Sequence, residues 1–284
     1  MNGYSTKGNP EKVTMTSTNT LMTSYPEEVL TWMREREKKQ RPFFGNSPQA
    51  NARGDLMELI CEVTEKLKLS VATTHLAVYL LDRFMDAYLL EENHLQLLAL
   101  TTVMLAAKFE DKDLDVPGIA VLNAFADNQY NAVLFKYMEI NILKFFNWNI
   151  GTATVAHFAE IYLMSGVCVG DTMEGTPITS PNVAAQTLWR ATLYFLDLSI
   201  FDTVFLKWPN SQIAAACLAC GRLSCQFVPT WPDALQKTTR YSIQSLARLM
   251  HLLLGMYKSE QTSSTCSTPE SGYGSRCSSL QSSP

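Results

Sequence analysis

The stretch LLALTTVMLAAKFED begins with eleven uncharged residues, Leu97 to Ala107, and then meets Lys108, Glu110 and Asp111. A helix apolar on every face has to be wrapped by others, so Lys108 at its end marks where it surfaces, while Glu110 and Asp111 are assigned no role. A lysine there can favour the helix dipole, worth about 0.3–1 kcal/mol. Other residues with reactive side chains form no comparable group. Cys217, Cys220 and Cys225 contain a CxxC core, but they lie in an apolar helical stretch with no second ligand pair, and a structural zinc site takes four ligands. They read as small buried side chains. The four histidines are isolated, no Ser/His/Asp grouping stands out, and the glycine fragments GSR and GYG match no phosphate-binding loop. The sequence therefore suggests no catalytic constellation, no metal site and no cofactor, and the chemistry to look for is binding.

A second pattern lies near the end of the chain. STPESGYGS places Thr268 before a proline and sets Ser271 and Ser275 in an acid-Ser-Gly-x-x-Ser arrangement. This is similar to phosphorylation-dependent degradation signals, in which added phosphates are read by basic pockets on a ubiquitin ligase. Ser-rich stretches also generate such short patterns by chance.

These residues sit in a chain of 284 residues, enough for two domains. It is 46% hydrophobic and 18% charged, with a formal net charge of -4. Such a balance offers no basic field for nucleic acid or an acidic membrane, and no uncharged run reaches the roughly 20 apolar residues of a membrane span. Seven cysteines without paired spacing fit a reducing, intracellular compartment. Residues 1–24 are polar and aperiodic, and residues 259–284 are rich in serine, so both read as disordered.

Nearly everything between reads as helix. YPEEVLTWMREREKKQRP opens with acids and closes with bases, the sense that counters the helix macrodipole, and has too few apolar residues to stand alone. Helical spacing then predicts five segments: Arg53–Leu67, one after Ser70, His94–Phe109, a short one near Val116–Phe125, and one over NQYNAVLFKYMEINILKFF. The order restarts at TVAHFAEIYLMSG. An apolar-rich helix and then a small-residue helix, SQIAAACLACGRLS, follow, and YSIQSLARLMHLLLGMY comes last. The repeat of order and character suggests a duplicated five-helix unit. No run alternates long enough to argue for a sheet.

At this point the motifs resemble those of the cyclin family. ARGDLMELICEV, HLAVYLLDRFMD, LQLLALTTVMLAAKFED and MEINILKFFNWNI resemble the first, second, third and fifth helices of a cyclin box, and PNSQIAAACLA resembles the small-residue helix of the C-terminal cyclin fold. The resemblance implies an all-α fold of two tandem five-helix boxes with an appended N-terminal helix, over residues 25–151 and 152–258. It also implies a non-catalytic subunit that binds and activates a cyclin-dependent Ser/Thr kinase in cell-cycle control, in the nucleus or cytoplasm. Carried over by motif, Lys108 and Glu139 become a pair facing the kinase. Val29, Trp32, Phe109, Leu143, Trp148 and Ile150 become apolar contacts, although Leu143 and Ile150 read equally well as core. Arg53 and Asp82 match an internal ion pair. Leu56, Leu59, Glu62 and Gln96 match a groove for substrate or inhibitor docking peptides, while Ala52 and Asp55 depart from the apolar residues expected there. A rival reading is a cyclin-fold scaffold in transcription that binds proteins or DNA without activating a kinase. The acidic balance counts against the DNA form of it.

Overall fold

The structure, a computed structural model, describes residues 21–264, with side chains from Glu27 to Gln261. Thr268, Ser271 and Ser275 lie outside the described residues, as do most of the two segments expected to be disordered. The exceptions are informative. Helix α1 spans Leu21–Lys38, so it begins four residues before the expected start, and Glu27 and Glu28 fall past its first turn. The last helix, α11 (Ile243–Ser264), continues into the serine-rich segment that was read as unstructured from residue 259.

The first domain holds α2 (Arg53–Lys66), α3 (Val71–Ala87), α4 (Leu95–Glu110), α5 (Ile119–Ala124) and α6 (Ala132–Phe145). Helix α4 is the axis: every residue from Leu97 to Ala107 is buried, and α2, α3 and α6 pack around it. Ala99, Ala106 and Ala107 are fully buried, leaving room for neighbouring backbones. Ser70 caps α3 by accepting from the Thr73 N–H at 3.1 Å, a bond that typically contributes about 1 kcal/mol. Asp111 adds to that cap from the end of α4, accepting from Ser70 N–H at 3.2 Å and Thr73 Oγ1 at 2.7 Å.

The second domain repeats the plan with α7 (Val155–Leu163), α8 (Pro181–Phe201), α9 (Asn210–Ser224), α10 (Asp233–Thr239) and α11. Here α9 is the axis, packed by α7, α8 and α11, and its residues Ala214 to Cys220 are wholly buried. Three two-residue strands, β1 (Thr172–Met173), β2 (Thr176–Pro177) and β3 (Phe227–Val228), form a small antiparallel sheet in the order β2-β1-β3. Strands so short carry no alternation to read in advance.

Helix α1 borrows its surface from the second domain: Leu30 and Met33 are buried in that domain's core. Arg34 donates to the carbonyls of Thr238 and Thr239, and Glu37 accepts from both Ser211 N–H and Ser211 Oγ. Among the described residues no helix is long and apolar enough to cross a membrane.

Candidate functional site

The end of α4 and the outer face of α6 meet at the surface. Packing of the two helices brings Lys108 Nζ to 2.7 Å from Glu139 Oε1, with the lysine side chain 46% and the glutamate 20% exposed. A pair this open contributes only about 0–1 kcal/mol to folding. Its nitrogen and oxygens keep hydrogen-bonding capacity toward solvent, so a partner's backbone could engage a cation and an anion side by side.

Three large aromatics are also exposed: Phe109, which follows Lys108, Trp148, just past the end of α6, and Trp32 on α1, at 54%, 67% and 57%. Trp148 is presented by the way α6 ends. Asn147 N–H bonds Lys144 O and Trp148 N–H bonds Leu143 O, a Schellman closure with Asn147 in the left-handed position that glycine or asparagine usually fills. Trp148 itself follows at φ +60°, a conformation costing a bulky residue on the order of 1–3 kcal/mol. Phe109 rests on the linker between the domains, where a Cβ on Gly151 would come within 2.3 Å of its Cζ. Any side chain at residue 151 would have to push the ring aside.

The other expected contacts are placed differently. Ile150 is 8% exposed and belongs to the first domain's core, and Leu143 packs partly buried against it. Val29 is half-buried against the second domain. Two features were missed by sequence reasoning. Val133, Tyr137 and Ile140 form an exposed apolar stripe on α6, opposite the buried Phe135, Met138 and Ile142. The signal was available, because a helix with apolar residues on two faces has more to cover than one core can take. Arg36 stacks on Trp32 at 5.0 Å and donates to Asn149 Oδ1 at 2.9 Å, fixing the tryptophan against the linker. It was read only as one basic residue in a charged run.

Arg53 and Asp82 form a buried bidentate pair at 2.7 and 2.9 Å, and the same guanidinium donates to the carbonyls of Ile200 and Phe201. The pair therefore also joins the first domain to α8 of the second. Of the residues matched to a docking groove, Leu56 is buried, Leu59 is half-buried, and Glu62 is held by Lys66 at 2.5 Å. Gln96 and Asp55 are exposed. Cys217 and Cys220 are enclosed within the second core. Burial pushes the Cys217 thiol well above its ordinary range and the Cys220 thiol up to about 12, so both stay protonated and pack as small apolar groups.

Comparison with known proteins agrees with this architecture. The model of the cyclin N-terminal domain matches residues 28–151, and that of the cyclin C-terminal domain matches residues 154–279. The chain belongs to the cyclin family. Within it, the chain is similar to Cyclin-J of Xenopus laevis, 37% identical over 227 residues that make up 78% of this chain and 59% of that one. Human Cyclin-J is 36% identical, over 78% of this chain and 58% of its own. Cyclin-A2 of Gallus gallus is 29% identical over 230 residues, 78% and 53% of the two chains. The matched region thus spans less than two thirds of these relatives' own length. Among solved structures, a viral cyclin from herpesvirus saimiri superposes with a TM-score of 0.64 at 14% identity, covering 79% of this chain and 94% of that one.

Proposed function

We propose that this chain is a non-catalytic regulatory subunit that binds and activates a cyclin-dependent Ser/Thr kinase. The observation that carries the reading is the exposed Lys108–Glu139 pair, accompanied by the exposed aromatics Trp32, Phe109 and Trp148. Tryptophan is among the residues that most often anchor an interaction hot spot, and membership of the cyclin family supplies the class of partner. The kinase's regulatory helix would pack on the aromatics while its backbone bonds the ion pair. Activation follows if this surface fits the active position of that helix better than the inactive one, since a binder shifts an equilibrium only by its differential affinity. The helix position in turn aligns the kinase's own Lys–Glu pair for ATP. Truncating either Lys108 or Glu139 would leave the other uncompensated in the complex, a loss of about 2–5 kcal/mol. Co-expression with a panel of cyclin-dependent kinases, followed by a kinase assay on the recovered complex, tests this. The wild-type chain should recover an active kinase, and the Lys108→Ala/Glu139→Ala variant should not. Normal recovery and activity with the double variant would contradict the interface.

A further inference from the structure

Of the two acids that close α4, Asp111 caps α3, but Glu110 turns toward the second domain. Its side chain is 11% exposed, and Oε2 lies 3.1 Å from Nε2 of His157. Among the described residues, nothing donates a hydrogen bond to the buried Oε1. A carboxylate with one partner depends heavily on it, because a buried charge left unpaired has nothing to offset its desolvation.

His157 is the third residue of α7, where it completes a capping box with Thr154. The Thr154 N–H donates to Nδ1 at 3.2 Å, and Thr154 Oγ1 lies 2.8 Å from the same nitrogen. Since Nδ1 accepts the backbone N–H, the proton sits on Nε2 and is donated to Glu110. Glu or Gln usually fills this place in a capping box, and a glutamate would repel Glu110. One imidazole thus caps a helix of the second domain and holds the end of the first domain's axis.

That end is one turn of helix with three consecutive residues pulling in different directions. Lys108 reaches Glu139, Phe109 lies on Gly151, and Glu110 is anchored by His157. The linker under Phe109 is itself fixed: the Ala153 carbonyl accepts from Gln40 and from Asn210, each at 2.9 Å. We infer that Glu110 and His157 form a positioning latch, through which the second domain sets the conformation of the partner-binding surface at Lys108 and Phe109. The latch stands on its own geometry, and its consequence for affinity rests on the kinase reading above.

The test uses the full chain with His157→Leu, which removes both ring nitrogens, against His157→Gln. The glutamine amide can accept from Thr154 N–H and donate to Glu110, so it should rescue. Hydrogen exchange of the kinase-free chain reads the latch directly. Amides of residues 106–112 should exchange about tenfold faster in His157→Leu and near wild-type rates in His157→Gln. Recovery of the kinase captured best by the wild-type chain should fall about tenfold in the first variant and return in the second. Glu110→Ala, which leaves the capping box intact, should reproduce the local acceleration even if His157→Leu folds poorly. Unchanged exchange in both disrupting variants overturns the latch, and faster exchange with undiminished kinase recovery overturns its positioning role. If the wild-type chain recovers no kinase, the functional reading fails while exchange alone still decides the latch.

Discussion

The two domains each wrap one helix, and each of those helices carries a single cation in its last turn, yet the two cations are treated in opposite ways. On α9 the cation is Arg222, whose side chain is fully enclosed. Asp171 meets it at 2.8 and 2.9 Å, and the carbonyls of Gly166, Pro229 and Thr230 accept its remaining donors. On α4 the cation is Lys108, held by one acid and nearly half exposed. Arginine's planar fork suits a closed site in which every donor is used. A lysine at the surface keeps donors free. The second domain uses its cation on its own loops, whereas the first leaves its cation at the surface.

That contrast can be broken by mutation. The largest effect is expected at Arg222→Met, which strands Asp171 in the core and should cost about 3–5 kcal/mol, read as a lower urea midpoint. A loss below about 1 kcal/mol would mean the enclosed pair contributes no more than a surface one. Gly151→Ala comes next. The new Cβ must displace the Phe109 ring, an overpacking change of about 1–3 kcal/mol in a closed core. With the ring half exposed, the stability loss should fall at or below the low end while kinase affinity drops. An unchanged affinity would remove Phe109 from the interface. The smallest effect on folding belongs to Lys108→Ala, within about 1 kcal/mol of wild type, and a larger loss would make Lys108 a structural cation like Arg222.

Much of this contrast was legible in the sequence. The absence of charge from Leu97 to Ala107 is enough to place α4 at a centre, and SQIAAACLACGRLS announces α9 in the same way. Helices with strong periodicity declared themselves, but α10 did not, being seven residues between a proline and a left-handed Arg240. The start of α1 was hidden because residues 21–24 lie in a Thr- and Ser-rich context. Side-chain roles were harder. That Lys108 surfaces follows from local sequence, but Glu139 as its partner came only through family resemblance. Glu110 and Asp111 had no assigned role, since their partners lie 47 and 38 positions away and depend on how α7 and α3 dock. Ile150, in the same short segment as Trp148, is buried while Trp148 is not, and only the left-handed exit from α6 separates them.

The most direct measurement is therefore a paired one on Lys108→Ala: its unfolding midpoint alone, and its dissociation constant for the kinase that the wild-type chain recovers. The account expects a midpoint within a few degrees of wild type and affinity weakened by at least about 30-fold, the low end of truncating a charge pair at an interface. An unaltered dissociation constant, or a loss of binding matched by a loss of fold, would contradict it.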